Sequence, residues 1–389
     1  MDKNEKQTEK KLDARDDITL HAKKERRRRF DIRLVIFAVF FIAIVLVIAN
    51  WDKVISPLKD AALDVKKGGF PVDLPGSTGY VLDELGESFF LMTDTYLYTY
   101  SSEGGNIMSE QHGFQNPASS AQGGRVLIYD RNGHDFKCFS RTGEVFSALA
   151  EDTIVFGVMG PDERSAIVTT STRFANTLYV YNAKGERIFR YFSPNKKIMQ
   201  LCFSDNGKIL YMTMLGEKGG ELILSTARID ISTDTEDLLW ETQVGSEMTY
   251  SVEACSDGVY VVTAGGNFLL DRDTGEVLSS GSFGRLVCAI PECKKAHYMI
   301  FRDSVTNGSI AVSYNSKLEA QNSVLLSQPV AFDTEGDKLY VLSTDKITSY
   351  NSSLEPLKKY ELDDVYSDLK IIGNSAYLLG YNTVQQVNL

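Results

Sequence analysis

Ser256-Asp257-Gly258-Val259-Tyr260-Val261-Val262, followed by Phe268-Leu269-Leu270-Asp271-Arg272-Asp273-Thr274-Gly275, is the stretch that decides the fold. Each apolar run is short, β-branched or aromatic, and bounded by an Asp-Gly or Thr-Gly signal, as in antiparallel strands joined by tight turns. The first run recurs along the chain as Ser88-Phe89-Phe90-Leu91, Val126-Leu127-Ile128-Tyr129, Ala166-Ile167-Val168, Ile209-Leu210-Tyr211, Tyr298-Met299-Ile300, Leu339-Tyr340-Val341-Leu342 and Ala376-Tyr377-Leu378-Leu379. With Tyr211, Tyr260, Tyr298, Tyr340 and Tyr377 as markers, the spacings are 49, 38, 42 and 37 residues. A further strand closes each unit, as at Arg187-Ile188-Phe189-Arg190-Tyr191. Four short strands in about 40 residues is the pattern of a propeller blade. Eight such runs predict an all-β, eight-bladed propeller over residues 70–389. Seven blades is the alternative, because the first blade is poorly delimited. A solenoid is the rival architecture, but solenoids carry end caps that are not visible here.

The two ends of the array complement each other. After Tyr377 only one more strand remains, Thr383 to Leu389, so the last blade lacks its outermost member. Phe70-Pro71-Val72-Asp73-Leu74 is a lone extended segment ahead of the first blade and is expected to supply it. Closure by both termini removes the exposed edges of an open array.

Upstream lies Leu34 to Ala49, sixteen residues without a polar side chain. Extended to Trp51, it gives about 27 Å of helix at 1.5 Å per residue, close to the hydrocarbon thickness of a bilayer. Seven Lys/Arg lie between Lys23 and Arg33, which places the N-terminus in the cytoplasm and the bulk of the chain outside. A cleaved signal peptide is the rival reading, but this run exceeds the usual signal core. The expected organisation is a disordered basic cytoplasmic tail (1–33), a transmembrane helix (34–51), a connector (52–69) with a short helix at 58–64, and the propeller. Residues 1–33 hold 12 basic and 8 acidic side chains, so the remainder carries −15 of the chain's −11. That acidic part excludes nucleic acid as a partner, which would require a basic face.

Chemistry is sparse. Five scattered cysteines do not make a disulfide scaffold, and Cys202, Cys255 and Cys288 read as small core residues. His112, His134 and His297 fall in separate blades, each read as a loop residue, with no metal-ligand spacing between them. There is no nucleophile elbow and no phosphate loop. Asp271-x-Asp273-x-Gly275-Glu276 superficially matches a calcium loop but is better read as a hairpin turn. No convergent set of charged or aromatic side chains is evident for the central channel. Catalytic residues, cofactors and metals are therefore not expected. The most irregular stretch, Gln111 to Gly124, reads as an insertion. Its His112 and Asn116, with Arg125 and Asp130, either form a binding surface or pin a blade junction.

Gly68-Gly69-Phe70-Pro71, Thr93-Asp94 and Gln111-His112-Gly113-Phe114-Gln115-Asn116-Pro117 ahead of Val126-Leu127-Ile128-Tyr129-Asp130, with the basic tail and single span, carry a resemblance. The chain, over residues 20–389, resembles an uncharacterised family of single-pass, membrane-anchored β-propellers of Gram-positive bacteria. That resemblance implies fold and location but no activity. In repeat texture alone the blades are similar to pyrroloquinoline-quinone-like, YVTN and WD40-like propellers, outer-membrane assembly scaffolds among them. The expected function is a binding or scaffold module of the cell envelope, engaging a protein or polymer and held to the bilayer through 34–51. A quinone-dependent or polysaccharide-active enzyme and a receptor docking a cytoplasmic partner through Arg26 to Arg29 are the alternatives.

Overall fold

The computed structural model describes residues 37, 39–41, 68–76, 79–233, 235–283, 286–290 (backbone only), 297–302 and 308–389. The chain divides into two units, Met1–Leu63 and Asp64–Leu389. In the first, Phe37, Val39, Phe40 and Phe41 are helical and exposed. The rest of the expected span, the basic tail and most of the connector lie outside the described residues. Among the described residues, no helix is long and apolar enough to cross a membrane.

The second unit contains eight four-stranded antiparallel sheets. Seven are consecutive blades at 81–111, 117–149, 154–193, 197–245, 249–282, 286–326 and 329–361. The eighth combines Asp368–Ile372, Ser375–Leu379 and Thr383–Asn388 with Val72–Asp73 from the other end of the chain. All eight apolar runs found in the sequence are second strands of their blades. Ser88–Met92, Ser165–Thr169 and Gly258–Thr263 are buried at every position. Such a strand has blades packed on both faces, so both sets of alternate side chains must be apolar. Outermost strands such as Val277–Ser282 alternate instead between exposed and half-buried residues. Tyr211, Tyr260, Tyr298 and Tyr377 are among the largest fully buried side chains, with Tyr179. The Tyr298 hydroxyl reaches across blades, donating to the Asp337 carbonyl at 2.7 Å, whereas that of Tyr260 accepts from Asn267 of its own blade at 3.2 Å.

Closure occurs as expected. Val72 pairs with Val384 and Asp73 with Thr383. Leu74 N–H adds a bond to the Asn382 carbonyl at 2.7 Å. Beside this pairing, Phe89 lies against Tyr377 (centroids 4.7 Å) and Tyr100 (5.0 Å), and Phe70 covers Phe89 at 6.2 Å. Lys370 of blade 8 also meets Asp83 of blade 1 at 2.8 Å.

Two readings need correction. The stretch 111–124 is not an insertion: Pro117–Gln122 is the innermost strand of blade 2, paired from Pro117↔Asp130 to Gln122↔Arg125. Its small polar side chains disguised it, and Pro117 stands at a strand start, where proline is tolerated. Cys255 is a buried core residue, as read, and is also disulfide-bonded, whereas Cys138 and Cys202 are free and buried. His297 lies not in a loop but at the start of a second strand, stacked on Tyr260 at 4.2 Å. The Asp271 turn is as read. Its Oδ1 accepts from the N–H groups of Asp273 (2.9 Å) and Thr274 (2.8 Å), and Gly275 supplies φ +73°.

Another turn recurs that the sequence reading did not isolate. Asn182, Asn315 and Asn351 each accept the N–H two and four residues on and donate to the glutamate at the fourth position.

Removing the closing strand should destabilise the whole ring, not merely fray it. Val72→Asp introduces a charge at a buried strand position and should lower the urea unfolding free energy by about 3 kcal/mol. Deleting 70–76 should lower it further, and an unchanged midpoint for either variant would contradict closure at this strand.

Candidate functional site: the central channel

The four residues singled out in the sequence do not converge. His112 is 2% exposed. Its Nε2 lies 3.2 Å from the Thr93 carbonyl, and its Nδ1 accepts from Phe114 N–H at 3.1 Å, which assigns the proton to Nε2. Burial lowers its pKa, keeping the ring neutral. Asn116 is exposed and works through its backbone: its N–H donates to Asp130 Oδ1 at 2.8 Å, and its carbonyl accepts Arg131 N–H at 2.9 Å. Arg125 begins the strand that Asp130 ends, about 16 Å away at the usual rise. There it pairs with Glu163 of blade 3 at 3.1 Å. His112, Asn116 and Asp130 form a junction between the first two blades, and Arg125 bridges blades at the other end. Tyr191 and Phe192 are packing residues too: Tyr191 is buried, and Phe192 stacks on Phe174 at 4.6 Å.

The central channel is more informative. In blades 3 to 7 the innermost strand carries a bulge near its start, at its second residue in Val155, Tyr250, Val287 and Val330 and at its third in Met199. A bulged residue lies outside the ladder and its side chain is re-aimed. Neighbouring blades flank an innermost strand and its second strand covers the outer side. Its exposed side chains therefore face the channel or its mouth. Val155 is 39% exposed, Tyr250 48% and Val330 43%, and Met248 just before blade 5 is 54% exposed. At the end where innermost strands begin, blades 3, 5 and 7 thus each expose an apolar side chain.

The innermost strands are also acidic. The innermost strands hold Asp83, Glu84, Glu253, Asp333, Glu335 and Asp368 against Lys197 and Lys370. Asp83, Glu253, Asp333 and Lys370 occupy one register level, opposite Phe90, Tyr260, Tyr340 and Tyr377. At this level the blades are latched. Asp333 accepts Ile371 N–H of blade 8 at 2.6 Å, Lys370 meets Asp83, and Ser120 of blade 2 accepts Met159 N–H of blade 3 at 2.9 Å. Burial raises the pKa of Glu84, Asp333 and Asp368. It opposes the charge of Lys370, but Asp333 and Asp83 beside it raise that pKa overall. Glu253 differs, since burial alone lifts it to about 7. It makes no hydrogen bond or ion pair with the described residues. This channel set was missed in the sequence. Aligning the repeats on the second-strand tyrosines would have placed Glu253, Asp333 and Lys370 at one position.

Two outcomes follow. His112→Ala leaves the Phe114 N–H unpaired and should lower stability by about 1–3 kcal/mol. Asn116→Ala removes only an exposed amide and should stay within about 0.5 kcal/mol; urea titration separates the two. For Glu253, the folded protein holds a proton that the unfolded chain releases above its ordinary pKa of 4.5. Its stabilisation is complete below that pH and is lost as pH rises through about 7. Glu253→Gln should remove this loss. Between pH 5 and 8 the natural protein should lose about 1–2 kcal/mol more than the variant, allowing for partial exposure. Parallel pH profiles would contradict the assignment.

Residues 72–276, just over half of the chain, match the description "Family of unknown function (DUF5711)". Curated protein sequences give no match. Among solved structures the chain is similar to Sqt1 from Saccharomyces cerevisiae, with TM-score 0.60 and 9% identity over 84% of this chain and 100% of that one. BamB from Moraxella catarrhalis gives 0.54 and 13% over 81% and 100%. Apo AztD from Citrobacter koseri gives 0.52 and 11% over 81% and 90%. At these identities the likeness is one of fold. The chain is an eight-bladed β-propeller belonging to the DUF5711 family of unknown function.

Proposed function

We propose that this protein is a membrane-anchored, extracytoplasmic binding module of the bacterial cell envelope, and that it holds a protein or polymer partner at the apolar channel mouth. The observation that carries this reading is the exposure of Val155, Tyr250 and Val330 on bulged innermost strands. Large apolar side chains left in water at a concave centre are what a partner would cover, at about 1.5–3 kcal/mol for each fully buried. The anchor rests on the apolar run Leu34 to Ala49 and the basic residues before it. The disulfide at Cys255 favours an oxidising compartment, because cytosolic thiols are kept reduced.

An enzymatic reading has one observation in its favour. A half-buried Glu253 with a pKa of about 7 is poised as a general base. Against it, no cluster of three potential metal ligands exists among the described residues. The free thiol of Cys202 feels the Glu253 charge, but it is buried, and burial holds its pKa well above the ordinary thiol value, against a thiolate nucleophile.

In intact wall-less cells, added protease should remove the propeller and leave a small membrane-bound N-terminal fragment. Tyr250→Asp with Val330→Asp should preserve the unfolding midpoint and abolish crosslinking of the protein's envelope partner. Full-length protein protected from protease would refute the topology, and undiminished crosslinking would refute the mouth as the binding face.

A further inference from the structure

Seven blades fill their fourth-strand position with six to eight residues; blade 8 fills it with two, Val72–Asp73. Its third strand, Thr383–Asn388, is six residues long, and Val72 and Asp73 cover only Val384 and Thr383. Before Val72 the chain leaves this edge. Phe70 packs on Tyr377 at 5.9 Å, and Gly69 N–H donates to the Glu103 carbonyl of blade 1 at 2.8 Å. Among the described residues, Gln385 to Asn388 is therefore without a neighbouring strand on its outer side.

The hydrogen-bond pattern identifies which groups are left. The Thr383 carbonyl accepts Gly380 N–H and Leu389 N–H reaches the Asn374 carbonyl, so odd positions face inward. The Asn382 carbonyl accepts Leu74 N–H, so even positions face outward. Gln386 and Asn388 accordingly present their backbone groups to the vacant position. Gln386 N–H is met there by the neighbouring side-chain oxygen, Gln385 Oε1, at 3.2 Å. This local bond stands where a strand partner would be. Alongside lies a groove of about 580 Å³ lined by Gly68, Gly69, Phe70, Glu103 and Gln386.

We propose that the vacant fourth-strand position of blade 8 binds an extended, basic segment of a partner protein by strand addition, in line with Val72–Asp73. Backbone groups on an open edge select an extended peptide, and the groove beside them selects a side chain. A residue directly opposite Gln386 shares its face of the sheet. Gln386 Nε2 is directed to Ser375 Oγ (2.9 Å) and the Ser102 carbonyl (3.4 Å), on the blade 1 side. The incoming side chain therefore meets Phe70 and the exposed Glu103, a match for the alkyl stem and cation of lysine or arginine. The net charge of −15 beyond residue 33 favours the same partner. This site is separate from the channel mouth and does not depend on it.

The test is phage display of random heptapeptides on the full-length protein in detergent, comparing the natural chain with Gln386→Pro. That proline deletes the outward-facing N–H and also the side-chain bonds to Ser375 and Ser102, so Gln386→Ala, which loses only the latter, is the control; the backbone bonds to Ser375–Leu379 stay in place, as edge prolines allow. Asn388→Pro is the second variant should Gln386→Pro not fold. Enriched peptides should alternate β-forming residues about a central Lys or Arg. The best should bind at least tenfold more weakly to the proline variant, lose affinity with Glu103→Gln, and slow hydrogen exchange at Gln386 and Asn388. Enriched peptides that ignore the proline, no enrichment at all, or protection of the same amides by dimerisation of this chain alone would each overturn the proposal.

Discussion

Burying a β-strand on both faces demands a neighbour on each side, and the structure depends on meeting that demand eight times. A second strand such as Gly258–Thr263, with no residue left exposed, is stable only between two other blades. An open row of blades would leave its first and last members with a wet apolar face. The ring is therefore a thermodynamic requirement of the repeat, and everything that closes it bears on stability far from the seam. The closing ladder is only two residue pairs long. The Phe70–Phe89–Tyr377 cluster and the Lys370–Asp83 contact add apolar area and a charge-assisted bond where the backbone pairing is thin.

The same geometry creates the channel. Innermost strands pack less closely than second strands, so their side chains escape the all-apolar rule. Two populations occupy the freedom this allows. Bulged Val155, Tyr250 and Val330 stand out of the ladder at one mouth, and carboxylates lie elsewhere on the innermost strands. Some of those carboxylates hold blades together, as Asp333 does through Ile371 N–H. Glu253, at the same register level without a partner, is the member whose charge the fold does not itself employ.

Much of the fold was legible because it was written in hydrophobicity. Each second strand announced itself as a continuous apolar run, and both halves of the closing blade could be recognised as incomplete. What could not be read lay on innermost strands. Pro117-Ala118-Ser119-Ser120-Ala121-Gln122 has the composition of a loop, yet it is a strand because its ladder with Arg125–Asp130 and its place against the channel require no large apolar side chain. The spacing of the four candidate residues was hidden for a related reason. Proximity in sequence placed Arg125 and Asp130 together, but they stand at opposite ends of one strand. The Asn-x-x-x-Glu turns went unseen because the residue at positive φ is Gly185 in one and Leu318 or Leu354 in the others. A search for glycine finds only the first.

The two-residue closing strand also has a mechanical meaning. Tension along the chain that precedes the propeller is delivered into the ring at its thinnest ladder. On the way it meets the Gly69–Glu103 backbone bond and the Phe70 ring packed over Phe89 and Tyr377. Those contacts act as a strain relief, taking load into blade 1 before it reaches Val72. Were they to yield, Val72–Asp73 would peel while the three C-terminal strands of blade 8 stayed paired with one another. Opening would then begin locally, at the N-terminal strand, and the other seven blades would keep their four strands.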